Sequence, residues 1–99
     1  MTEKHYYFDT TPEYDDWFTA ETMKSQVQIA DRLSKIENEG YFGTRKDLED
    51  ELWELKWVGG RRVYYVIIPE KNIILLLGGN KNGQDKDISK ARKILKRYI

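Results

Sequence analysis

At 99 residues the chain has material for one hydrophobic core rather than two, and it holds no cysteine, which removes disulfides, thiolate nucleophiles and cysteine-ligated metals. Seventeen Lys/Arg balance seventeen Asp/Glu over the whole chain, but residues 1–50 carry six basic and twelve acidic side chains and residues 51–99 carry eleven and five. Either the halves neutralise each other across the folded surface, or the basic half has a polyanionic partner.

The predicted elements run as follows. His5–Phe8 is aromatic and strand-like. Thr11-Pro12-Glu13 then reads as a helix start, with Thr11 as cap, Pro12 at the first helical position and Glu13 at the positive end of the dipole. Tyr14, Trp17 and Phe18 share one face of that helix. A second helix is predicted over Met23–Asn38, with Met23, Val27, Ala30, Leu33 and Ile36 as its apolar stripe and Gly40 as its stop. The two form a helical hairpin. Tyr41–Asp50 is polar and is expected to be loop.

After Asp50 the period changes to two. Leu52–Val58 alternates as a half-buried strand, Gly59-Gly60 supplies the positive φ of a hairpin turn, and Arg62–Ile68 returns. Pro69–Asn72 turns again, and Ile73–Leu77 is an apolar run of the kind buried on both faces. A final helix is predicted over Asp85–Tyr98, capped by Asn82. Its buried stripe is Ile88, Ala91, Leu95 and Tyr98, with Lys86, Lys90, Lys93 and Arg97 in water. The order β-α-α-β-β-β-α predicts one α+β domain over residues 1–99: an antiparallel sheet packed on the N-terminal helical hairpin, with the last helix folding back.

The polar start, Met1–His5, lacks the apolar core of a signal peptide. The longest apolar run, Ile73–Leu77, is far short of the about 20 residues that span a bilayer. The expectation is a soluble, cytoplasmic protein with no membrane role. His5 is the only histidine and receives no function. The carboxylates of Asp15-Asp16 and of Asp47 and Glu49–Glu51 have no defined ligand spacing, so neither a metal nor another cofactor is expected.

Alternation places Trp53, Leu55 and Trp57 with Val63, Tyr65 and Ile67 against the helices. It leaves Glu54, Lys56, Arg62, Tyr64 and Val66 on the other, open face, and the hairpin sets Lys56 near Arg62. The reverse assignment, with Trp53 and Trp57 as open stacking platforms, is equally compatible with period two. Gly78–Gly83 joins a buried strand to a helix, and its backbone N–H groups are candidates for holding an anion beside Lys81. Cations fixed on a stiff sheet suit a phosphate chain, whereas an exposed pairing of Lys56 and Arg62 with Glu54 or Glu70 would be ordinary surface chemistry.

Four segments together resemble one family: Leu52-Trp53-Glu54-Leu55-Lys56, Arg62-Val63-Tyr64-Tyr65, Leu77-Gly78-Gly79-Asn80-Lys81 and Gln84–Ala91 with its Lys86-Asp87-Ile88. They resemble the addiction-module killer proteins, phage-derived (Gp49-like), HigB-like toxins of the RelE/ParE superfamily. Phe42-Gly43 also sits where that family has Phe-Gly after its second helix. The resemblance implies the toxin of a type II toxin–antitoxin module. Such a toxin is an endoribonuclease cleaving mRNA on the ribosome by metal-free chemistry, neutralised by a helix-turn-helix, HigA-like antitoxin.

Carried over by position, the resemblance implies Lys56, Arg62, Tyr64 and Lys81 as catalytic residues, and Arg61, Lys86 and Lys90 as RNA contacts. Tyr64 or a lysine of lowered pKa is then the candidate general base. Three features depart from the family pattern. Lys56 stands in place of arginine and loses the bidentate fork, Arg61 replaces a turn tyrosine in a shortened turn, and the chain is neutral overall. Two rival functions share the fold: a non-catalytic, ParE-like inhibitor that binds DNA gyrase, and an inert protein-binding module.

Overall fold

The structure, a computed structural model, describes residues 3–99; Met1 and Thr2, the first residues of the polar N-terminal stretch, lie outside them. Strand β1 (Tyr7–Thr10) leads into helix α1 (Pro12–Ala20) through Thr11. The Thr11 hydroxyl accepts from the Tyr14 amide at 2.9 Å and donates to the Leu76 carbonyl at 2.6 Å, while Pro12 occupies the first turn. One side chain thus caps the helix and stitches it to the central strand. Helix α2 (Met23–Glu39) starts at Thr22, whose hydroxyl accepts from the Ser25 amide, and ends on Gly40 at φ +69°, as the pattern predicts.

Four more strands follow: β2 (Arg45–Asp47), β3 (Trp53–Lys56), β4 (Arg61–Ile68) and β5 (Asn72–Asn80). A 3₁₀ turn (Lys81–Gly83) then opens α3 (Gln84–Leu95). The sheet order is β1-β5-β4-β3-β2. The β3-β4-β5 meander is antiparallel and turns at Gly59 and Gly60 with φ of +100° and +108°, as the sequence indicates. The α+β class and the helical hairpin hold, but two strand pairings extend the predicted order. β1 lies parallel to β5, and β2 forms inside the predicted loop by pairing antiparallel with β3. All three β2 residues are exposed, so no buried side chain marks this edge in the sequence.

The sheet is covered on both faces. On one, Tyr14, Ile36, Phe42, Leu55, Val63, Tyr65, Ile73 and Leu75 form a core under α1 and α2. On the other, Leu52, Tyr64, Val66, Ile74, Leu76 and Leu77 pack against Ala91, Ile94 and Leu95 of α3. A bulge makes this division possible: Tyr64 pairs with Leu77 but Tyr65 pairs with Leu75. The extra residue resets the alternation, so Leu76 and Leu77 both serve the α3 side. Gly78 then faces α1 and Gly79 faces α3.

Two predicted stripes are corrected. In α2, Met23 and Val27 are exposed at 77% and 53%, Ala30 is exposed too, and Ser25, Ile29 and Ile36 are buried. The helix has two apolar stripes, and Arg32 decides between them. Lying on the Ile29/Ile36 side, its guanidinium donates to the carbonyls of Phe42 (2.8 Å), Lys56 (2.6 Å) and Thr44, bonds that the other rotation forfeits. In α3, Ile94 joins Ala91 and Leu95 in the core, Ile88 is half-buried, and Tyr98 lies exposed beyond the helix end. Arg92 fixes α3 from outside by donating to the Leu48 and Glu49 carbonyls at 2.7 and 3.3 Å. Among the described residues no helix is long and apolar enough to cross a membrane.

Candidate nucleic-acid interface

Register brings the first candidates together. Lys56 lies opposite Arg62, Glu54 opposite Tyr64, and Arg62 opposite Gly79. The Lys81 amide donates to the Gly60 carbonyl at 2.8 Å, and the Lys81 stem runs over Gly60, where a Cβ would come within 3.1 Å of it. Lys56 at the end of β3, Arg62 near the start of β4 and Lys81 just after β5 therefore gather at the corner of the sheet next to the β3–β4 turn. Lys56 is half-buried and Lys81 is exposed.

Alternation gave the right residues a common face, but that face is not open. Helix α3 lies across it, and the expectation of an exposed Tyr64 is corrected: Tyr64 is fully buried, with its hydroxyl unpartnered. The physical reason is that α3 has its own apolar stripe to cover, and the sheet offers the matching surface. Burial above all, then the charges of Glu54 and Asp87, raise the Tyr64 pKa well beyond a phenol's ordinary value, so its phenolate is strongly disfavoured at neutral pH. Contact between this hydroxyl and a substrate requires α3 to move.

Beneath α3 the structure assembles a polar cluster that the sequence left scattered. Glu54 is fully buried; one carboxylate oxygen accepts from the Gln84 amide at 2.7 Å and the other lies 4.0 Å from Arg62 Nε. Arg62 also donates from Nη1 to the Arg61 carbonyl at 2.9 Å. Asp87 sits over Gly79, and burial raises its carboxyl pKa, with Lys90 offsetting part of the effect. The Arg62 side chain, 12% exposed, lies beside the Glu54 carboxylate without a hydrogen bond between Nε and Oε1. Glu54, Gln84 and Asp87 lie within the segments that carry the family resemblance, and Glu54 also shares parity with Arg62, but nothing in the sequence showed that the three converge.

Other candidates separate. Arg61 lies on the opposite face, where it donates to Gln28 of α2 at 2.9 Å and sits 3.8 Å from Glu21 in the link between the helices, so as an RNA contact it is already occupied. The Gly78–Gly83 stretch does not form the expected anion cradle. Gly78 and Gly79 belong to β5, the Lys81 amide is taken by Gly60, and the Asn82 amide by the Asn80 side chain at 2.9 Å. Asn80, not Asn82, is the capping side chain, and it caps the 3₁₀ turn. Lys86 and Lys90 stay exposed on α3; Lys86 lines a hollow shared with Lys81 and a second shared with Lys90 and Lys93. These cations make a strip leading away from the Lys56–Arg62 corner. Among the described residues no group of three or more histidines or carboxylates is placed to hold a metal ion.

On its other side, the corner opens into a cleft of about 630 Å³ between α2 and the β3–β4 hairpin. Lys56, Trp57, Val58 and Arg62 form one wall, Gln28, Asp31, Arg32 and Lys35 of α2 the other, and Tyr41 and Thr44 close one end. Arg32 lies 4.5 Å over the Trp57 ring, so the base of the cleft is stiff. The cleft was not legible in the sequence. The available signal was an arginine, Arg32, between two buried isoleucines of one helical stripe.

A family profile described as phage-derived protein Gp49-like (DUF891) matches residues 16–98. This chain belongs to that Gp49-like family. Among curated relatives, the Gp49-like chain is 33% identical over 87 residues to an uncharacterised protein of Haemophilus influenzae, covering 84% of this chain and 86% of the relative. Among solved structures, the Gp49-like fold is similar to a free double mutant of the E. coli toxin RelE, with a TM-score of 0.72 and 16% identity over 96% of this chain and 99% of that one. It is also similar to a chain of the intact E. coli RelBE toxin–antitoxin complex (TM-score 0.64, 17% identity, 76% and 95% coverage) and to a chain of the Mycobacterium tuberculosis RelBE2 complex (0.63, 14%, 76% and 96%). At these identities the likeness establishes the RelE fold for the Gp49-like chain.

Proposed function

We propose that this protein is the toxin of a type II toxin–antitoxin module and acts as a ribosome-associated endoribonuclease on mRNA in the cytoplasm. The observation that carries the reading is the pairing of Lys56 with Arg62, both lining the cleft, at the corner of the sheet where Lys81 runs over Gly60. Membership of a phage-derived family and the RelE fold support it. The RNA 2′-oxygen attacks the neighbouring phosphorus, a bond to the 2′-oxygen forms, and the bond to the 5′-oxygen breaks. The products are a 2′,3′-cyclic phosphate and a 5′-hydroxyl. Such transfers ask mainly for positioning and for stabilisation of charge on the phosphoryl oxygens. Arg62 and Lys56 bind the non-bridging oxygens, and Lys81 faces the leaving oxygen.

Tyr64, whose hydroxyl is sealed under α3, is not the general base; the 2′-hydroxyl proton passes to solvent water at this exposed corner. The partner in the resting state is a cognate antitoxin of the helix-turn-helix, HigA-like kind; solved relatives are toxin–antitoxin complexes. The test is reporter mRNA incubated with ribosomes and purified protein, with cut ends mapped. Wild type produces defined ends, Arg62→Ala and Lys81→Ala lose them by about 100-fold or more, and Arg61→Ala keeps them. Unchanged cleavage in both Arg62→Ala and Lys81→Ala refutes the mechanism. Growth arrest without any cut ends replaces it by non-catalytic inhibition.

A further inference from the structure

We propose that the cleft between α2 and the β3–β4 hairpin is a nucleobase subsite, and that Asp31 selects a base presenting two adjacent N–H donors, as guanine does. The inference rests on the reading of RNA as substrate. A phosphate held at Lys56 and Arg62 touches the cleft wall, because both residues line it. The nucleoside joined to that phosphate has the cleft as its nearest concave surface. Its volume of about 630 Å³ lies within the range of small-molecule sites and accepts one nucleotide with room to turn.

The lining suits a base. The Tyr41 ring is 63% exposed and free to stack, and stacking on an aromatic ring is open to every base. Trp57 is fixed under the Arg32 guanidinium. Arg32 itself donates to three backbone carbonyls, so it shapes the cleft without competing for phosphate. That leaves Lys35, Lys56 and Arg62 as the cations facing the ligand.

Asp31 breaks this pattern. It is an exposed carboxylate on a wall rich in cations, and it is within ion-pairing distance of none of them among the described residues. A carboxylate accepts hydrogen bonds and donates none. It repels phosphate and takes paired donors from a Watson–Crick edge, the edge through which single-stranded RNA is read. The N1–H and amino group of guanine match its two oxygens; no other standard base offers two donors side by side on that edge.

The experiment maps cut ends on a mixed-sequence mRNA for wild type, Asp31→Asn and Tyr41→Ala. In parallel it measures binding of a non-cleavable, 2′-deoxy-substituted oligonucleotide carrying guanine or adenine at the candidate position, by fluorescence polarisation. Both side chains are exposed, so the variants are expected to fold, and circular dichroism checks this. The expected result is enrichment of guanine beside the wild-type cut, its loss in Asp31→Asn with cleavage persisting, and a KM raised about 10-fold in Tyr41→Ala with kcat little changed. Binding should show the same guanine preference and the same dependence on Asp31.

The subsite is overturned if Asp31→Asn and Tyr41→Ala leave base preference, KM and oligonucleotide binding unaltered while Arg62→Ala abolishes cleavage; the endoribonuclease reading then stands alone. If the wild type binds the guanine oligonucleotide through Asp31 and Tyr41 but cuts no RNA, the subsite is supported and the cleavage reading falls.

Discussion

Alanine at Gly78 is the sharpest perturbation of how this sheet is built. A Cβ there would lie 2.1 Å from the Trp17 ring, more than 1 Å inside van der Waals contact. The backbone of Gly78 is not in the left-handed region, so alanine meets no conformational strain and by chain entropy alone would stabilise slightly. The whole cost is therefore the collision. Either the indole shifts and α1 moves on β5, or the ring swings out and loses its packing beside Tyr14. Overfilled cores lose about 1–3 kcal/mol and displaced large aromatics about 3–5, which places Gly78→Ala near 3 kcal/mol. In a domain of this size that corresponds to a melting temperature lower by roughly 12–24 °C. Urea denaturation followed by circular dichroism measures it, with Gly59→Ala as reference. Gly59 is open to solvent at φ +100°, so its penalty is backbone strain alone, about 1–2 kcal/mol. Trp17→Leu in the Gly78→Ala background should restore much of the loss. A Gly78→Ala protein within about 0.5 kcal/mol of wild type would refute the close-approach explanation.

Other expectations concern the polar framework. Arg32→Ala removes three hydrogen bonds to the carbonyls of Phe42, Thr44 and Lys56 and should cost about 3 kcal/mol in urea unfolding. Arg32→Lys should recover less than half, since an ammonium lacks the fork, and hydrogen exchange should quicken in β2 and β3 in both. Glu54→Ala leaves the Gln84 amide without its partner and removes the carboxylate 4.0 Å from Arg62; it should cost about 2 kcal/mol, below the range for a fully buried pair because Arg62 reaches solvent. A double variant Glu54→Leu/Arg62→Met should be more stable than the single. Burial raises the Asp87 pKa, against a partial offset from Lys90. A folded-state value above the unfolded one means that the native state holds the proton more tightly. The group's stabilising contribution is then full below about pH 4 and is lost as pH rises through the folded value. Asp87→Asn should accordingly exceed wild type in stability at pH 7 and converge with it toward about pH 3; a gap constant with pH would refute this.

The helix start at Thr11, the stop at Gly40, the Gly59-Gly60 turn and the residues sharing each face of β3 and β4 were all legible in the sequence. Each depends on local chemistry: a side-chain oxygen near a free amide, a φ open to glycine, an alternation of period two. Four segments sufficed for the family. The sequence could not reveal what lies over each face, because that depends on groups brought together from distant positions. Met23, Val27, Ala30 and Leu33 make the more apolar stripe of α2, yet the Arg32 bonds to the carbonyls of Phe42, Thr44 and Lys56 turn the Ile29/Ile36 side inward. Gly78-Gly79 looks like a loop until Trp17 and Asp87 are seen pressing on it. Tyr64 alternates like an exposed residue and is sealed because α3 has nowhere else to bury Ala91, Ile94 and Leu95. Local patterning determined which elements form; burial of one element's apolar face by another decided which side chains reach solvent, and hence where Lys56, Arg62 and Lys81 meet.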